Sequence, residues 1–166
     1  MRRTSPFLLA SLVFYGAVAC FASQWHEISI PASYQRLHCM VMVTPESGWA
    51  GGQDGLLLRC EGGQWRKVTA PIRSDVVAMA FDDAENGWVA GFDAATQKSL
   101  LFHCRRGRWT PVQVPVGLVV TAIASDGRGT LFVFGQGGRA FRLRQRVWVE
   151  MGTPGYRTML SAVSLP

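Results

Sequence analysis

The groups able to do chemistry in this chain are few and scattered. No two of its histidines, His26, His38 and His103, share a metal-ligand spacing, and no serine or cysteine stands in a nucleophile elbow. The expectation is strand or surface histidines. Of the cysteines, Cys20, Cys39, Cys60 and Cys104, no two form a Cys-x-x-Cys pair, so zinc and haem ligation have no support. The acidic run Asp82-Asp83-Ala84-Glu85-Asn86-Gly87 lacks the spaced oxygen ligands of a calcium loop and reads as a turn. Neither a catalytic residue, a metal nor a cofactor is expected. Arginine is the exception, with 15 copies against two lysines, Lys67 and Lys98. Arg142, Arg144 and Arg146 alternate with Leu143 and Gln145, which on a strand puts them on one face. With Arg105, Arg106 and Arg108, one repeat earlier, they form a candidate basic band for acidic partners or phosphate-bearing lipids. The alternative is a charged rim that keeps an exposed blade soluble.

The chain that must position these groups has 166 residues, 48% hydrophobic and 17% charged, with a net charge of +6. That suits one ordinary domain with a core and excludes a disordered tail or a multi-pass membrane protein. Arg2 and Arg3 precede the apolar stretch 7–19 and then small residues, the layout of a secretory signal segment over residues 1–22. Two processing routes stay open. Cleavage after Ala22 would leave Ser23 first; Ala17-Val18-Ala19-Cys20 resembles a lipobox in which Cys20 is lipidated. A retained single-pass anchor is the third reading. Beyond residue 22 the charge is uneven, −3 over residues 23–103 and +7 over 104–166. An exported chain does not ordinarily meet nucleic acid, so anionic envelope components are the expected counterpart of the basic half, and a membrane only through the signal or a lipid anchor.

Self-comparison at a period of about forty residues gives the strongest signal. Trp25, Trp65, Trp109 and Trp148 recur at spacings of 40, 44 and 39, each followed by a proline (Pro31, Pro71, Pro115, Pro154). Gly48-Trp49-Ala50-Gly51, Gly87-Trp88-Val89-Ala90-Gly91 and Thr130-Leu131-Phe132-Val133-Phe134-Gly135 form a second set. Short runs ahead of them, Cys39–Val41, Ala78–Ala80 and Ala122–Ala124, form a third, with a fourth copy at Ala162–Ser164. Runs of this length between Gly- and Asp-containing turns are strands, and four antiparallel strands per repeat make a propeller blade. The fold expected over residues 23–166 is all-β, a partial β-propeller of about three and a half four-stranded blades. The six tryptophans are expected to be structural. Cys60 and Cys104 take the place of Leu143, which argues for core thiols; a bridge between neighbouring blades is the alternative. Cys39, in the place of Ala78, is also expected in the core.

The order Gly-Trp-x-x-Gly, glycine turn, Leu-rich strand, Gly-x-Trp and proline resembles the photosystem II stability/assembly factor-like repeats, within the broader BNR or Asp-box sialidase-like propellers. The resemblance spans residues 24–166. It departs from them at the Asp-box turn, where this chain has Glu61-Gly62-Gly63 and Arg105-Arg106-Gly107. It implies an exported binding or scaffold protein, an assembly factor in the cell envelope, rather than an enzyme. The alternative is a fragment of a sialidase-like glycan-binding or glycan-hydrolysing propeller. A last blade short of two strands is expected to be completed by a protein partner, by a second copy closing a ring, or by the rest of a longer reading frame.

Overall fold

In the computed structural model the described residues are 27, 29–31 and 35–152. The signal segment with Cys20, Trp25, His26 and the fourth inner-strand copy lie outside them. Twelve strands form three antiparallel four-stranded sheets, each paired in chain order. The first blade holds β1 (Leu37–Thr44), β2 (Ser47–Gly52), β3 (Leu57–Glu61) and β4 (Gln64–Lys67). The second holds β5 (Asp75–Phe81), β6 (Gly87–Asp93), β7 (Lys98–Arg105) and β8 (Arg108–Val112). The third holds β9 (Val120–Ser125), β10 (Thr130–Gly135), β11 (Ala140–Arg144) and β12 (Val147–Met151). The expected partial propeller is therefore present, with three whole blades among the described residues. Trp65, Trp109 and Trp148 stand on the outermost strands and Trp49 and Trp88 on the second strands, as the repeat predicts.

Alternation along each strand splits every sheet into two faces, and the blades stack face to face. Trp49 and Leu57 of the first blade meet Val76, Met79, Val89 and Phe102 of the second. Leu101, Ala90 and Trp88, on the second blade's other face, meet Leu131, Val133, Phe141 and Leu143 of the third. Inner strands β1, β5 and β9 touch in sequence, so the blades fan from a common axis. Cys60 and Cys104 are buried free thiols, and no bridge joins them. Cys39 is only half-buried, because β1 is the first inner strand and part of it is open to solvent. Burial pushes its thiol up to about 12.

One volume exchange distinguishes the third blade. Gly48 pairs with Met42, and a Cβ on Gly48 would strike the Met42 sulfur at 2.6 Å. Gly87 pairs with Phe81, whose ring lies where a Cβ would go. At the equivalent register of the third blade the sizes are reversed, Leu131 facing Ser125. Close packing permits one large side chain per pair, on either strand.

Candidate functional site

The hairpins that close the outer strands are two-residue turns with both central residues at positive φ, the geometry that matches strand twist. Gly62-Gly63 (57° and 76°) serves the first blade, Arg106-Gly107 (50° and 73°) the second, and Gln145-Arg146 (50° and 65°) the third. Glycine adopts this conformation without strain; glutamine and arginine do so at a cost. The strand β11 ends at Arg144, so Arg146 belongs to this turn. The alternation that placed it on one strand face with Arg142 and Arg144 does not hold, because the chain has already reversed.

Between the second and third blades opens a cleft of about 1240 Å³. Its second-blade wall carries Trp88, His103, Arg105 and Asp82; its third-blade wall carries Phe141, Leu143, Arg144, Arg146, Trp148 and Arg128. The segment Val112–Val116, which joins the two blades, runs along it. Of the six arginines expected to form a band, Arg105, Arg144 and Arg146 are brought together here. Arg106 stands at a turn, Arg108 starts β8, and Arg142 sits mid-strand across from Phe132, whereas Arg144, on the same face, ends β11 at the cleft; Arg106, Arg108 and Arg142 do not line it. Arg128 is an addition. It sits in the β9–β10 turn, where the Asp126 carboxylate accepts the Arg128 and Thr130 N–H groups, both at 2.8 Å. Desolvation works to raise the Asp126 pKa, but these bonds and the Arg144 charge outweigh it and hold the carboxyl below its usual value.

The cleft is strongly cationic. Asp82 is the one acidic side chain in its lining, against four arginines. Ion pairs among the described residues engage Arg59, Arg66 and Arg139 instead. Next to Asp82 the turn is fixed from within: the Asp83 carboxylate accepts the Glu85 and Asn86 N–H groups at 2.7 and 2.8 Å and the Asn86 amide at 2.7 Å. The Asn86 side chain, then the Glu85 backbone bond, lowers the Asp83 pKa. The acidic run is thus the turn that the sequence indicated.

His103, expected to be an incidental strand histidine, faces this cleft and stacks on Trp88, centroids 3.8 Å apart and planes 7° apart. A signal was available, since in the aligned repeats His103 occupies the position of Arg59 and Arg142. On the far wall the Trp148 indole N–H donates to the Gln113 carbonyl at 2.9 Å, and Phe141 meets Trp148 edge-on at 6.3 Å. Among the described residues no three His, Cys, Asp or Glu side chains gather as a metal site would require, and no helix is long and apolar enough to cross a membrane.

No family model matches the chain, and no curated protein matches it. Solved structures do. A YCF48 bound to D1 peptide superposes with a TM-score of 0.65 at 19% identity, over 80% of this chain and 44% of that one. YCF48 from Cyanidioschyzon merolae gives 0.60 at 14% identity, over 73% and 38%. The extracellular domain of BT4673 from B. thetaiotaomicron gives 0.57 at 17% identity, over 84% and 19%. The chain spans less than half the length of these three proteins. The likeness establishes the propeller fold.

Proposed function

We propose that this chain is an exported propeller module that binds rather than catalyses, and that it holds an extended acidic segment of a protein partner in the cleft between its second and third blades. The observation that carries the reading is the cleft itself, where Arg105, Arg128, Arg144 and Arg146 surround a groove containing one acid. A peptide segment suits it, because the cleft is an elongated joint between two blades with the linker residues Val112, Gln113, Val114 and Pro115 along one side. That YCF48, a protein of this fold, takes a peptide supports a peptide as the ligand class. Arg2, Arg3 and the apolar stretch after them support export, as a soluble secreted chain or with Cys20 as the lipid attachment point, and the repeat pattern shared with assembly-factor propellers supports an assembly role in the cell envelope.

Titration of the mature chain with a peptide containing six consecutive glutamates tests the site. Arg128→Glu with Arg146→Glu is expected to weaken binding at least about tenfold, each reversal replacing an attraction by a repulsion. Unchanged affinity in this double variant refutes the cleft. Sustained turnover of sialyl or other glycoside reporters by purified protein would refute the non-catalytic reading. Labelling cells with a fatty-acid analogue decides the Cys20 anchor, which a Cys20→Ala chain with undiminished label would exclude.

A further inference from the structure

Each blade places an aromatic ring of its second strand directly across from one residue of its third: Trp49 opposite Arg59, Trp88 opposite His103, Phe132 opposite Arg142. Two of the three partners are permanent cations, and the Arg59 guanidinium lies 5.3 Å from the Trp49 ring. The partner that faces the cleft is an imidazole, the one side chain of the three whose charge changes near neutral pH.

The charges around His103 come from both walls. Arg105, on its own strand, and Asp82, on the β5–β6 turn, act on it directly; across the cleft the third blade lines the wall with Arg128, Arg144 and Arg146, Arg144 interacting with Asp126, and Thr110 of β8 is neutral. Glu150, the acid of β12, is bonded to Arg139 at 3.1 Å. Burial, then the Arg105 charge, lowers the proton affinity of His103, and Asp82 opposes them in part. An anion in the cleft would reverse that balance, offsetting the arginines and stabilising an imidazolium held against the Trp88 face.

We propose that His103 is a proton-gated fifth cation of the cleft, so that anionic ligands bind more tightly in mild acid than at neutral pH. This rests on the reading of the cleft as the binding site. Linkage makes the effect reciprocal: a ligand that prefers protonated His103 raises its proton affinity by the same factor.

The test is calorimetric titration of the mature chain with sucrose octasulfate, whose own charge is constant over the range used. Between about pH 7.5 and 5.5 the native protein is expected to gain about fivefold in affinity, the effect of one added charge a few ångströms from the anion. His103→Gln should bind with no such gain, and His103→Arg should bind tightly at both pH values. Proton NMR of the imidazole should show His103 titrating at higher pH when the probe is present. A His103→Gln variant that keeps the native gain overturns the proposal, as does a native protein whose affinity is flat with pH; either result leaves the cleft standing if Arg128→Glu with Arg146→Glu weakens binding at least about tenfold. Absence of binding to the native protein at both pH values overturns the cleft reading and the gating together.

Discussion

The two junctions between blades are built from equivalent positions and end differently. Where the first blade meets the second, Trp49 is stacked by Phe81 at 4.8 Å and met edge-on by Trp109 at 6.0 Å, and its indole N–H donates to the Ala84 carbonyl at 3.2 Å. Where the second meets the third, Phe81 is replaced by Ser125, Trp88 is stacked by His103 from its own sheet, and Trp148 turns its indole to Gln113. The first junction is filled by three aromatic rings. The second keeps the same frame, lacks the Phe81 ring, and opens into a cleft edged with arginine. The volume is exchanged rather than withdrawn: Leu131 fills it from the facing strand, Ser125 and Leu131 are both buried, and the cleft is lined by other residues, mainly those of the outer strands and of the Val112–Val116 linker.

The largest effects should come from emptying the filled junction. Trp49→Ala removes the ring that Phe81 and Trp109 pack on, and is expected to cost about 3–5 kcal/mol in denaturant unfolding. Phe81→Ser, which imposes the second junction's solution on the first, should cost about 2–4 kcal/mol alone. Adding Gly87→Leu, the other half of the exchange seen at Leu131 and Ser125, should restore part of that loss. If the double variant is less stable than Phe81→Ser, the volume exchange is not what separates the two junctions.

The reverse exchange sharpens the comparison. Ser125→Phe with Leu131→Gly places a ring beside Trp88 and should change stability by less than about 2 kcal/mol, the volumes being nearly conserved. The same variant should bind the hexaglutamate peptide as the native chain does, because neither residue lines the cleft. A variant that folds with the ring in place and loses binding would show that the cleft depends on the buried pair beneath it.

Sequence reasoning reached the strands because alternation and tryptophan spacing are local signals, and it reached the inward thiols because Leu143 shows what that register position packs against. It did not reach the cleft. A cleft depends on which side chains of two sheets and of the linker between them come together, and no periodicity in one strand reports that. Arg146 was misplaced for a related reason: Gln145-Arg146 makes a tight hairpin turn with no glycine to announce it, so the alternation reads straight through the reversal. Arg128 sits in a turn whose order comes from Asp126, and its wall of the cleft is set by packing that only the fold supplies.

That turn gives a smaller and opposite effect. Arg146→Gly relieves a left-handed arginine, as Gly107 does in the second blade, and should stabilise the protein by about 0.5–1 kcal/mol while weakening anion binding. A gain in stability with a loss in affinity identifies Arg146 as strained in the service of the cleft. A loss of both would mean that its side chain supports the turn instead.

The smallest effect separates the junctions by pH. His103 binds protons less readily in the folded chain than in the unfolded one, so its contribution to stability is present above the unfolded value and lost as pH falls through the folded one. Stability should therefore decline slightly below about pH 6 in the native protein and stay level there in His103→Gln. The aspartates Asp83, Asp93 and Asp126, all lowered by bonds within their turns, give a separate loss that begins only below about pH 4. Saturating sucrose octasulfate should remove the first decline, since bound anion favours the imidazolium, and leave the aspartate loss in place. The first junction has Arg59 where the second has His103, and a permanent cation adds nothing to the slope in either range. A decline below pH 6 that survives in His103→Gln would therefore have to come from a group outside this pair of joints, and the cleft would lose its claim to be the acid-sensitive one.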